Sequence, residues 1–232
     1  MGAAKGTLEE GQVRAMFDRI AGVYDLMNSV MTAGLHHRWR ERAADLAMLT
    51  PGARALDVAT GTGDLAVELA RRVTPGGEVV GSDFSEGMLE RARGKSSDVR
   101  WEQANALALP YPDDGFDAAT VGFGARNFSN LEQGLREMAR VVRPGGRVVV
   151  LEITTPTEPP LSTFFSLWFD RIVPVLGRVT GEDQAYRYLP SSVKRFPGPR
   201  ELGAIMHGLG LRDVRWILTA GGIIALHSGT VG

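Results

Sequence analysis

The stretch from Arg54 to Ala66, R-A-L-D-V-A-T-G-T-G-D-L-A, limits the fold more than any other part of the chain. Ala55, Leu56, Val58 and Ala59 form a short apolar run of the kind that makes a buried parallel strand. Gly61 and Gly63 allow a sharp turn and a close approach of backbone to a ligand. Leu65, Leu69 and Val73 then recur at helical spacing, with Ala66 and Ala70 small enough for close packing. A strand, a glycine loop and a helix in this order open a nucleotide-binding α/β sheet.

The spacing G-x-G-x-x-A also fits a dinucleotide site, so the charges have to choose between ligands. A dinucleotide sets its pyrophosphate on the loop and the helix N-terminus. Asp57 at the strand end and Asp64 at the helix start flank that spot and would repel phosphate. An ammonium and a sulfonium would be welcome there, which points to S-adenosylmethionine. Asp83 ends the next apolar run, Glu78 to Asp83, about twenty residues beyond Gly63, where an acid accepts hydrogen bonds from ribose hydroxyls. The plainer account, in which Asp57 and Asp64 only cap local structure, is the weaker one.

Composition narrows the class. A chain of 232 residues is long enough for one sizeable core, and a net charge of −1 gives no general attraction to nucleic acid. With no cysteine there is neither a disulfide nor a thiolate nucleophile, and the spacing of the four histidines suggests no metal cage. There is no apolar run of membrane-spanning length and no apolar signal core at the N-terminus, so the expected compartment is the cytoplasm.

In chain order, Val13, Phe17, Ile20 and Tyr24 share a helical face, and a methionine-rich segment leads to Trp39 among Arg38, Arg40 and Arg42. Residues 1–50 therefore read as a helical cap with solvated arginines, or as an adaptable lid over an apolar substrate. Residues 51–153 read as the cofactor-binding core. The strand at 99–103 delivers Asn105 and Ala106 to the carboxyl edge, where an amide and a backbone N–H could read the adenine. The strand at 116–121 exits into Gly122 and then presents Arg126 and Asn127 at the same edge. Leu131, Leu135, Met138 and Val142 share a helix face, and a strand follows at 147–153. Alternating strands and helices imply right-handed crossovers and a parallel sheet. Residues 154–200 are an aromatic insertion, either a core helix or one wall of an apolar pocket. Residues 201–232 hold a last helix and a hairpin of strands at 214–218 and 223–227, so the last strand is antiparallel to its neighbour.

These residues resemble the ubiquinone/menaquinone-biosynthesis C-methyltransferases over nearly the whole chain. The glycine loop is generic to methyltransferases. The stretches A-G-V-Y-D-L-M-N at 21–28, F-G-A-R-N at 123–127 and G-G-I-I-A-L-H at 221–227 are specific to the family. The resemblance implies the class I S-adenosylmethionine-dependent methyltransferase fold, an α/β Rossmann-like seven-stranded sheet with helical lid elements. It implies that Thr62, Asp83, Asn105 and Ala106 bind the cofactor, with Gly61, Gly63 and Asp57 around them and Gly122 contributing backbone only. The implied reaction moves a methyl group to a ring carbon of a prenylated naphthoquinol. The compact segment between Arg93 and Val99 favours demethylmenaquinol as substrate, over a benzoquinol or another apolar small molecule. Arg126 is the expected cation at the charged quinol oxygen, beside Asn127, with Tyr24, Asp25, His36 and Tyr186 as candidates for proton handling. A bilayer-dwelling prenyl tail implies peripheral membrane contact through 16–39 and 161–176; a homodimer is left open.

Overall fold

The computed structural model describes residues 10–22, 24–32, 34–156, 159–167, 171 and 183–232. Seven strands form one sheet in the order β3-β2-β1-β4-β5-β7-β6. They are β1 (Arg54–Val58), β2 (Glu78–Asp83), β3 (Arg100–Gln103), β4 (Phe116–Gly122), β5 (Val142–Ile153), β6 (Arg212–Thr219) and β7 (Ile224–Thr230). The first five run parallel, and β7 pairs antiparallel with both β5 and β6, as the short link at 220–222 predicts.

Alternate residues of each strand serve opposite faces and both faces are covered, which is why the central strands are mostly apolar, with Asp57, Thr120 and Glu152 among the exceptions. Leu56, Val80, Val148 and Val150 face a core built with α6 (Leu131–Arg140) and α9 (Pro199–Gly208). Ala55, Val79, Val149 and Leu151 face the other core, made with α3 (Leu35–Leu46) and α4 (Asp64–Val73). Every residue of β1 after Arg54 is buried, so its carboxyl end, where the glycine loop begins, is fixed by packing on both sides. Trp101 of β3 fills the space beside Gly63 and Gly81: a Cβ at either glycine would sit 2.4–2.5 Å from the indole ring.

The strands of the closing hairpin differ from the sequence reading, at Arg212–Thr219 and Ile224–Thr230, and two further boundaries change an element. The first helical face does not continue through Tyr24: α1 (Glu10–Ile20) ends, and α2 (Tyr24–Thr32) starts anew beyond Gly22, a poor helix former. Val142 is not helical either. It begins β5 opposite Phe116, because Pro144 bars a helix there and Val142 is drawn into the core.

The cap helices lie over the carboxyl edge of the sheet. Val13, Met16 and Ile20 of α1 pack on Met88 of α5 (Glu86–Arg93) and on Tyr188 of α8 (Asp183–Arg195). In the insertion, Phe165 of α7 (Leu161–Leu167) packs against Val193 and, at the end of β5, Ile153. The rest of the expected aromatic wall, residues 168–170 and 172–182, lies outside the described residues, as does the side chain of Tyr186.

Candidate active site

A cleft of about 870 Å3, its open mouth included, runs along the carboxyl ends of β1, β2 and β4 and is roofed by α1 and α2. Its floor is the glycine loop. Asp57 is 1 % exposed and accepts from the hydroxyls of Thr60 and Thr120, both at 2.6 Å. The strand register supplies Thr120, which lies directly opposite Asp57 on β4. Burial pushes the Asp57 carboxyl up to about 6 despite these two bonds.

Asp83 closes the adjoining wall. Its carboxylate accepts from the backbone N–H of Gly61 at 2.8 Å and of Ser85 at 2.9 Å, which ties β2 to the glycine loop. Burial pushes Asp83 up to about 6 as well. Each carboxylate oxygen retains a lone pair, so a ribose hydroxyl can still be accepted. Gly61, at φ +57, has no atom of the described residues within 4 Å of where a Cβ would stand. Asn105 and Ala106 line the far end of the cleft beyond β3, and Gly122 lines the end at β4, as expected from sequence.

Thr62 lies in a polar cluster that no single motif announces. Its hydroxyl donates to Asp25 of α2 at 2.5 Å and accepts from Lys95 at 2.9 Å. Lys95 also reaches Asp25 and Asp64, both at 2.6 Å. Asp25 is therefore a clasp between cap and loop, not a proton carrier facing the cleft. Burial alone would raise Asp64, but Arg40 and Lys95 outweigh it and hold the carboxyl below its ordinary range. The charge argument for the ligand accordingly rests on Asp57 and Asp83, because Asp64 already has two cations beside it.

His36 is 2 % exposed and is not part of the cleft wall. Arginine has only donors, so the contact between Arg40 and His36 makes Nδ1 the acceptor and leaves Nε2–H to donate to Ser29 Oγ at 3.2 Å. Burial, with Arg40 beside it, lowers His36 to about 4. A neutral ring with both nitrogens engaged is a prop for Arg40, and the expectation of proton handling by His36 is corrected on that ground. Arg40 corrects a second expectation: it is 6 % exposed and 3.5 Å from Asp64, so it is not one of the solvated arginines, whereas Arg38 and Arg42 are exposed.

The turn after β4 carries Arg126 and Asn127. Arg126 is buried and ion-paired with Glu152 of β5 at 2.6 Å, and the same nitrogen donates to the carbonyl of Phe123 at 2.6 Å. Burial alone would lower the guanidinium, but Glu152 outweighs it and raises it. Asn127, not Arg126, stands on the cleft wall, and its Oδ1 is buried without a partner among the described residues. Tyr24 lines the same cleft, its ring edge-on to Phe17 at 6.2 Å. Sequence reasoning missed Glu152, whose one signal is an acid inside an apolar strand. It also missed Glu10, whose carboxylate accepts from Asn105 Nδ2 at 2.8 Å across the cleft mouth, and Tyr188, whose charge environment includes Arg126.

The residues suit an adenosylmethionine: carboxylates for hydroxyls and ammonium, an uncrowded glycine and an orphaned amide oxygen. Comparisons with known proteins agree. The demethylmenaquinone methyltransferase of Thermus thermophilus is 48% identical over 219 residues, covering 92% of this chain and 99% of that protein. The ubiquinone/menaquinone biosynthesis C-methyltransferase UbiE of Geobacter sulfurreducens is 42% identical over 231 residues, 97% of this chain and 90% of that one. A crystal structure of a SAM-dependent methyltransferase from Thermotoga maritima shares the fold at a TM-score of 0.67 and 19% identity, covering 94% of this chain and 99% of that one. The sequence model of the ubiE/COQ5 methyltransferase family matches residues 5–231, and with this cleft behind it the chain belongs to that family.

Proposed function

We propose that this chain methylates a ring carbon of a prenylated demethylmenaquinol, giving menaquinol, with S-adenosylmethionine as donor. One observation carries the reading. Tyr24 and the turn bearing Asn127, from two family-specific stretches far apart in sequence, stand on one cleft with the glycine loop.

When bound, S-adenosylmethionine supplies a methyl group already activated on sulfonium. What remains for the protein is alignment, exclusion of water and management of protons: the quinol hydroxyl's before the new carbon–carbon bond forms, and afterwards that of the methylated ring carbon, whose loss restores the aromatic ring. The ring carbon becomes nucleophilic only as the quinol hydroxyl gives up its proton. The unpartnered Oδ1 of Asn127 accepts from that hydroxyl and orients it. Arg126 acts from behind, holding the turn through Phe123 and Glu152 and supplying a nearby cation as the oxygen gains charge. With Glu152 neutralising it, that cation is weaker than an unpaired guanidinium would be. Tyr24, across the cleft, is the second group within the site for proton handling.

No helix among the described residues is long and apolar enough to cross a membrane. The prenyl tail is instead met from the side, at α7, where Leu161 and Leu167 are 39 % and 55 % exposed and Leu161 packs on Gly221 of the β6–β7 link.

The test is methyl transfer from labelled S-adenosylmethionine to short-chain demethylmenaquinol, reduced and oxidised, with a matching benzoquinol alongside. Product from the reduced naphthoquinol alone is expected. Methylation of the oxidised form, or of the benzoquinol in preference, would overturn the assignment.

A further inference from the structure

The cleft wall is acidic. Glu10, Asp57, Asp64 and Asp83 all line it, and among the described residues that do so Arg40 is the one lysine or arginine. S-adenosylmethionine nevertheless ends in an α-carboxylate, which the surrounding acids repel unless a cation faces it. We infer that Arg40, from the cap helix α3, binds the carboxylate of the cofactor's methionine end. The inference rests on the reading of the cleft as the cofactor site, with its adenosine end at Asp83 and Asn105.

Sheet order fixes which end is which. Asn105 follows β3 and Asp83 ends β2, so the adenosine lies over the β3–β2 side. The methionine end then lies over β1 and β4. Arg40 is at that end: its guanidinium is 3.5 Å from Asp64, just beyond the loop after β1, and 5.5 Å from the ring centre of Phe123, just beyond β4.

Arg40 is also prepared for an anion. At 3.5 Å its contact with Asp64 is longer than a good charge-assisted hydrogen bond, because Lys95 holds the other Asp64 oxygen at 2.6 Å. Lys95 thus leaves Arg40 only loosely spent on Asp64. His36, neutral and accepting through Nδ1, props the guanidinium without cancelling its charge. The Phe123 face shields one side of it from water.

The test is calorimetric binding of three adenosine thioether or sulfonium ligands: S-adenosylmethionine, its decarboxylated form, and 5′-methylthioadenosine, which lacks the amino-acid end. Wild type should prefer S-adenosylmethionine to the decarboxylated form by about 10- to 100-fold, the worth of one charged hydrogen-bonded contact. Arg40→Gln should erase that preference while leaving methylthioadenosine binding unchanged. Arg40→Lys should keep part of it, since a point ammonium replaces only part of a planar fork. A wild type without the preference overturns the inference with no variant needed. Equal weakening of all three ligands by Arg40→Gln also overturns it, and makes Arg40 a structural prop of the cap. If Asp83→Asn leaves methylthioadenosine binding intact, the reading of the cleft itself falls and takes this inference with it.

Discussion

The two walls of the cleft are built on different principles. The sheet wall consists of strand ends whose polar groups are held by backbone and register: Asp57 by a cross-strand threonine, Asp83 by two amide N–H groups. The cap wall consists of helices α1 to α3, tied to the sheet at its polar rim by single side chains, Glu10 to Asn105, Asp25 to Thr62 and Lys95. The sheet wall cannot shift without breaking the core. Water can replace the exposed and half-exposed bonds of that rim, whereas beneath it α3 is packed in the core with α4, and α1 rests Val13, Met16 and Ile20 on Met88 and Tyr188. The exchangeable contacts of the cap are thus confined to the cleft mouth, while its helices are held by apolar packing.

The largest effect that can break this contrast concerns Arg126. Arg126→Ala leaves Glu152 buried and uncompensated and should destabilise the protein by about 3–5 kcal/mol in chemical denaturation. Turnover should fall by on the order of 100-fold as well. The double variant Arg126→Met with Glu152→Leu should recover stability and not turnover; recovery of both would make the pair purely structural.

Asp83→Asn probes the rigid wall. It removes a charged acceptor and weakens the tie to Gly61, so S-adenosylmethionine binding should weaken by about 2 kcal/mol in calorimetry. An unchanged affinity would take Asp83 out of the site.

Titration sharpens the same wall. Burial raises Asp57 and Asp83 from 3.8 to about 6, so the folded state prefers them protonated. Their contribution to stability is full below pH ~4 and is lost as pH rises through ~6. A ligand carrying ammonium and ribose hydroxyls prefers them ionised, so affinity should run the other way. It should drop by about tenfold per pH unit below 6 for each carboxyl that must ionise, about a hundredfold if both do, with protons released on binding. Calorimetry in buffers of different ionisation enthalpy measures that release directly; binding near pH 6 without it would mean that neither carboxyl meets the ligand.

The smallest effect belongs to the cap. Glu10→Ala removes the strap over the mouth, and cofactor release in stopped flow should quicken by roughly two- to fivefold, with little change in stability because the bond is exposed. Slower release would show that Glu10 obstructs the cleft.

The contrast also explains what was legible in the sequence. Strand, glycine loop and helix lie within a dozen or so residues, and local periodicity reveals them along with Asp57, Gly61 and Asp83. Asn105 and Gly122 follow from sheet topology. Arg38, Arg40 and Arg42 look alike in sequence, and only the packing of α3 buries Arg40; its i, i+4 spacing from His36 was the one available hint. Lys95 sits in an ordinary polar loop, and its three partners come from 31 to 70 residues away, a juxtaposition that no local pattern encodes. Arg126 was found by position, but its neutralisation by Glu152 depends on the pairing of β4 with β5.

Trp101 has a consequence for how such a chain can change over time. Its indole occupies the space that side chains at Gly63 and Gly81 would need, and its Nε1–H donates to the Ser96 carbonyl at 3.1 Å. Three positions in three different segments therefore share one volume. A methyl group added at position 81 has nowhere to go while the indole is present, yet after Trp101→Leu the same methyl group would fill space that the smaller side chain vacates. The order of the two changes decides whether the intermediate folds: 101 must shrink before 81 can grow. Position 63 stays closed even then, because its φ of +88 excludes a side chain for reasons that no neighbour can relieve.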